Sequence, residues 1–118
     1  MRIFFASLLY IAAILFPALG SAEEQPVVVE LFTSQGCSAC PPADAQLHSL
    51  TKKPNVIALG LHVDYWDYIG WEDSFAKLDF TKRQRAYAQA QNEHMIYTPQ
   101  FMINGMANSM ANQLEEMD

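Results

Sequence analysis

Only two of the 118 residues are cysteine, Cys37 and Cys40, which excludes a framework of several disulfides. A single bridge across a two-residue gap closes almost no loop, so it restrains the unfolded chain little and has small value as scaffold. Basic residues are scarce as well: seven Lys and Arg stand against thirteen Asp and Glu, a formal net charge of −6. Phosphate neutralisation demands a basic surface, so nucleic acid is excluded as a partner. No internal repeat and no low-complexity linker divides the chain, whose length suits one domain.

What is present begins with Arg2 and an apolar run from Ile3 to Leu19, followed by the small residues Gly20, Ser21 and Ala22. This pattern predicts a signal peptide over 1–22, cleaved after Ala22 by first preference and after Gly20 by second, with no cysteine beyond it to make a lipoprotein. The competing reading is an uncleaved anchor, because the run approaches the roughly 20 residues that a membrane span needs. The expected destination is secreted or periplasmic, with membrane contact only through the signal segment. The remainder, 23–118, is then one small and marginally stable domain.

Within it, Val27 to Phe32 is a β-branched and apolar run suited to a strand buried on both faces. Pro41 and Pro42 fit a helix's first turn, and Ala43, Leu47 and Leu50 recur at helical spacing, which predicts a helix from about Cys40 to Lys52. Val56 to His62 supplies a second strand, so the opening unit is strand, helix, parallel strand. After an aromatic loop, Thr81 and Gln84 form a capping-box pattern for a second helix, with Phe80, Gln84, Tyr87, Ala88 and Gln91 on one face. Gln100 to Ile103 reads as a third strand, and Asn104-Gly105 predicts a hairpin into a fourth, although the sequence from Met106 to Ala111 is a poor strand former.

A Cys-x-x-Cys that begins a helix directly after a strand places Cys37 at the positive helix end, where a thiolate is favoured. Cys37 is therefore the expected nucleophile, and Cys40, one turn further in, the resolving thiol that attacks a mixed disulfide on Cys37. The reaction class is thiol–disulfide exchange on a protein or small-molecule partner, and the dithiol is itself the redox group, so no cofactor is called for. Metal binding is the alternative. Zinc would need Cys37 and Cys40 with two of His48, His62 and His94, whose spacing does not favour it. Copper(I) suits thiolates and thioethers, and Met102, Met106 and Met110 lie four apart, which keeps a periplasmic copper(I)-binding or metallochaperone-like module as the second reading. Methionine is also ordinary core filling.

Four segments, VELFTSQGCSACPPAD over 29–44, HVDYWDYIGW over 62–71, RQRAY over 83–87 and YTPQ over 97–100, closely resemble the bacterial secreted family known as domain of unknown function 1223, a thioredoxin-like group. The resemblance runs from about Val27 to Gly105. It implies an α/β thioredoxin-like fold, a mixed central sheet of about four strands flanked by helices, and a C-terminal part that stops short of the family's closing helix. It also implies that Pro99 faces the dithiol in the cis form and that the peptide at Thr98 and Pro99 offers backbone to a substrate strand. Glu30, on one strand face with Val28 and Phe32, takes by the same resemblance the part of a buried acid with a raised pKa that relays a proton to Cys40, against a purely structural hydrogen-bonded carboxylate. His62, Asp64 and Asp67 follow the second strand and are expected chiefly to fix the loop. Among Tyr65, Trp66, Tyr68 and Trp71, loop packing is the commoner use of such rings, and Trp66 is the candidate substrate contact.

Overall fold

The computed structural model describes residues 25–107. The expected signal segment and the weak strand sequence beyond Ala107 lie outside the described residues. The elements follow in the order β1 (Val27–Thr33), α1 (Pro41–Leu50), β2 (Val56–His62), a 3-10 turn (Asp67–Ile69), α2 (Leu78–Ala90), β3 (Gln100–Ile103) and β4 (Met106–Ala107). They form a four-stranded sheet in the order β2-β1-β3-β4. β1 pairs parallel with β2 and antiparallel with β3, and β3 pairs antiparallel with β4. A mixed four-stranded sheet flanked by two helices is the thioredoxin-like arrangement expected from the sequence.

Two cores result, one on each face of the sheet. Val29 and Leu31 of β1 join Phe101 and Ile103 of β3 under Ala43 and Leu50 of α1, with Val56 and Ala58 of β2 at the margin. On the other face Phe32, Met102 and Val63 pack together with Tyr87 of α2, whose ring meets Phe32 edge-on at 6.2 Å. Strand alternation makes this division. The central strand is buried from Val29 to Thr33, and its odd-numbered members face α1 while its even-numbered ones face α2. The hairpin follows its sequence signal: Asn104 and Gly105 both take positive φ, 51° and 78°, and set Met102 opposite Ala107.

Two expectations need correction. α1 is shorter than predicted, because Cys40 is its N-cap and Thr51 its C-cap. The capping box at Thr81 and Gln84 does not exist. α2 starts earlier, at Leu78 after an extended Lys77, so both residues stand inside the helix. Each is buried and bonded across the fold instead: the Thr81 hydroxyl donates to Asp64 at 2.6 Å and accepts the Asp64 N–H at 3.1 Å. Gln84 donates to the Tyr97 carbonyl and the Gln100 side chain, and accepts from the Tyr65 hydroxyl. Local pattern was overridden by tertiary partners that are 13 to 19 residues distant.

Candidate functional site

β1 ends at Thr33, and the chain then makes two consecutive turns, Cys37 N–H donating to the Ser34 carbonyl and Cys40 N–H to the Cys37 carbonyl, both at 3.2 Å. Those turns bring the two cysteines together: Cys37 and Cys40 are joined by a disulfide, with 5.4 Å between their Cα atoms. Cys40 is fully buried and Cys37 only 3% exposed, so the oxidised pair as a whole is enclosed. The pair precedes the helix rather than lying within it. Pro41 and Pro42 occupy the first two helical positions, which leaves Ala43 to carry the helix's first N–H.

Trp66 links the two sides of the site. A Cβ built on Gly36, the residue before Cys37, would stand 3.1 Å from the Trp66 Cβ, and the Trp66 indole N–H donates to the Thr98 hydroxyl at 2.8 Å. Thr98 precedes Pro99 through a cis peptide bond. Because Phe32 pairs with Gln100, Thr98 and Pro99 fall beside the end of β1, where the chain turns toward the dithiol. Trp66, Thr98, Pro99 and the cysteine turn thus share one edge of the sheet. Trp71 stands further out, its indole donating to the Gln35 side chain, and Tyr68 is almost fully exposed. Of the loop aromatics, Tyr65 and Trp66 pack against the second core, whereas Tyr68 and Trp71 do not. Burial pushes the Tyr65 hydroxyl above its ordinary pKa, and its bonds to Gln84 and Thr98 offset that in part.

Glu30 is buried as expected, its side chain 4% exposed, but it faces α2 beside Met102, while Cys40 heads α1 on the other side of the sheet. Its partner is Arg83, whose Nε donates to Oε1 at 3.0 Å and whose Nη2 donates to the same oxygen. This bond holds the Arg83 guanidinium above its ordinary pKa. The structure brings Glu30 to an ion pair rather than to Cys40. The carboxylate on the dithiol's face is instead Asp44, one helical turn after Cys40, which accepts the Thr33 hydroxyl at 2.6 Å. Sequence reasoning passed over Asp44, although the spacing of four from Cys40 was the signal that puts the two on one helix face.

Beside Thr33, at the matching register position of β2, stands His62. Its Nδ1 lies 2.6 Å from Oδ2 of Asp73, whose side chain is fully buried. Asp73 also accepts the backbone N–H groups of Gln35 and Phe75, both at 2.9 Å, and its own N–H donates to Asp67. Burial pushes the Asp73 carboxyl up, and the bonds from Gln35, His62 and Phe75 outweigh it, leaving the group below the usual carboxylate range. His62, Asp64 and Asp67 therefore fix the loop, as expected; Asp73, the centre of that network, was not foreseen.

The metal donors do not assemble. His48 and His94 are exposed, His62 is engaged by Asp73, Met102 is buried in the α2-side core and Met106 is exposed. Met110 lies outside the described residues. Among the described residues no group of three or more His, Cys, Asp or Glu is placed to hold a metal ion, and no helix is long and apolar enough to cross a membrane.

A solved structure similar to this chain is a crystal structure of a protein from Agrobacterium tumefaciens, 50% identical, with a TM-score of 0.65. The match covers 70% of this chain and 38% of that one, so the chain spans well under half of the relative's length. No curated protein matches. The family profile DUF1223, described as a protein of unknown function, matches residues 28–118, and the chain belongs to that family.

Proposed function

We propose that the protein is an exported thiol–disulfide oxidoreductase of the thioredoxin superfamily, acting in the periplasm or outside the cell. The observation that carries this reading is the Cys37–Cys40 disulfide itself, formed across two residues immediately before α1. Such a bond adds little scaffold, so its use is chemical. In the reduced protein the Cys37 thiolate attacks one sulfur of a substrate disulfide, forming a Cys37–substrate bond as the substrate's own S–S bond breaks and its first thiolate leaves. The Cys40 thiolate then attacks Cys37, the mixed disulfide breaks, the second substrate thiolate departs, and the two electrons have passed to the substrate. Run backward, the same steps oxidise a dithiol. A second thiol or disulfide partner resets the pair.

Thr98 and Pro99 supply the backbone edge beside the dithiol, and Trp66 supports that edge through its bond to Thr98. The substrate is a protein or small molecule carrying a thiol or disulfide, and nucleic acid is not a partner. The test is to reduce the Cys40→Ser variant and mix it with glutathione disulfide. A stable adduct of one glutathione on Cys37, seen by mass spectrometry and absent from wild type after turnover, is the expected result. Failure of Cys37 to form any adduct would refute the assignment.

A further inference from the structure

The cysteine turn is tied to the rest of the fold at Gln35, two residues before Cys37, and the group that holds it is a buried charge. Asp73 accepts the Gln35 N–H at 2.9 Å through Oδ2, the same oxygen that meets His62 Nδ1 at 2.6 Å. The carboxylate only accepts, so Nδ1 carries the hydrogen in this bond. One carboxylate oxygen thus joins the redox turn to an imidazole at the end of β2. His62 is about three-quarters buried, its ring 5.5 Å from that of Phe75, which shields the pair from water.

We propose that His62 is a positioning residue for the dithiol, held by Asp73 so that its charge state sets how readily Cys37 carries a thiolate. The proposal rests on the dithiol reading above. The groups around His62 are few. Asp73 and, through the Asp73 N–H, Asp67 come from the loop; across the register is Thr33 of β1, whose hydroxyl is committed to Asp44 of α1; the Lys77 backbone N–H before α2 donates to the His62 carbonyl. A protonated His62 neutralises Asp73, whereas a neutral His62 leaves its net negative charge, held by the Gln35 and Phe75 N–H groups, one hydrogen bond from the redox turn. A negative charge there opposes a Cys37 thiolate. The charged form of His62 therefore favours the thiolate.

The test measures thiolate ultraviolet absorbance of the reduced full-length chain against pH, a readout that requires neither substrate nor access to Cys37. Wild type is expected to show a broadened two-step curve. His62→Asn, which retains a donor for Asp73 but cannot be charged, should give one step displaced upward by about half a pH unit, roughly a threefold loss of thiolate on the acid limb. Asp73→Asn, which retains an acceptor for Gln35 and removes the negative charge, should displace the curve downward. Superimposable curves for all three proteins would overturn the proposal. So would displacement of both variants in one direction, because simple loosening of the turn has no sign that follows the charge. If one variant loses native tryptophan fluorescence, the other still decides by whether its curve moves in the stated direction. The glutathione adduct of Cys40→Ser judges the oxidoreductase reading separately: no adduct together with oppositely displaced curves would remove that reading and keep the role of His62.

Discussion

Arg83 of α2 and Glu30 of β1 form an ion pair in which the guanidinium donates twice to one carboxylate oxygen, on the sheet face away from the dithiol. The second oxygen, Oε2, is buried without a hydrogen-bond partner among the described residues. Removing the arginine leaves that carboxylate with neither bond. A buried charge stripped of its partner costs about 3–5 kcal/mol, and because the Arg83 side chain is half exposed, water recovers part of it. We expect Arg83→Met to lower stability by about 1–3 kcal/mol, seen as a reduced urea midpoint with an unchanged slope, while the thiolate titration of Cys37 stays where it was. Altered Cys37 titration in this variant would mean that Glu30 does communicate with the dithiol.

Gly36 gives a prediction on the site side. A methyl group there would meet both the Cβ and the carbonyl oxygen of Trp66, at 3.1 and 3.3 Å, so one of the two segments must shift. Overpacking of this kind typically costs about 1–3 kcal/mol. Gly36→Ala should weaken the Trp66–Thr98 bond and change tryptophan emission in the folded protein, with a slower reaction of Cys37 toward glutathione disulfide.

Asp73 predicts how stability responds to acid. Its carboxyl titrates lower in the folded protein than in the unfolded chain, so the unfolded chain takes up the proton more readily and acid favours unfolding. The stabilisation is complete above the ordinary carboxylate value of about 3.9 and is lost as pH falls below it toward the folded value. Urea midpoints recorded between pH 6 and roughly pH 3 should fall more steeply for wild type than for Asp73→Asn. Parallel slopes would show that other carboxylates govern the acid limb.

Gln84 is fully buried and satisfies three groups from different parts of the chain, the Tyr65 hydroxyl, the Tyr97 carbonyl and the Gln100 amide oxygen. Gln84→Leu fits the volume and strands all three. The three groups are only part-buried and Tyr97 is exposed, so water recovers much of the cost, and the loss should be about 1–2 kcal/mol, a drop of roughly 5–15 °C in Tm for a domain of this size. Thermal unfolding followed by circular dichroism measures it.

The strands and the dithiol were legible because their signals are local. Val27 to Phe32 and Val56 to His62 are apolar runs, Asn104-Gly105 dictates a turn with two positive φ values, and the spacing of Cys37 and Cys40 suits the disulfide they form. Glu30 was legible as a buried residue on one strand face, but which helix that face meets depends on chain crossings, and Arg83 lies 53 positions away. Thr81 mimicked a helix cap because hydroxyl residues cap helices and also brace loops, and only the fold chooses between them. Asp73 gave no sequence signal at all: the three partners of its carboxylate are Gln35, His62 and Phe75, and what makes it central is burial, which a single acidic residue in a loop does not announce.

Pro41 and Pro42 at the head of α1 have an electrostatic consequence for the cysteines they follow. A proline nitrogen has no hydrogen to give, so the helix's first two positions cannot clasp a sulfur anion directly. What reaches Cys37 from the helix is chiefly its field, the sum of aligned peptide dipoles behind a donor-free turn. Because the two cysteines are enclosed, dissolved ions screen that field little, and a thiolate formed there would depend only weakly on ionic strength.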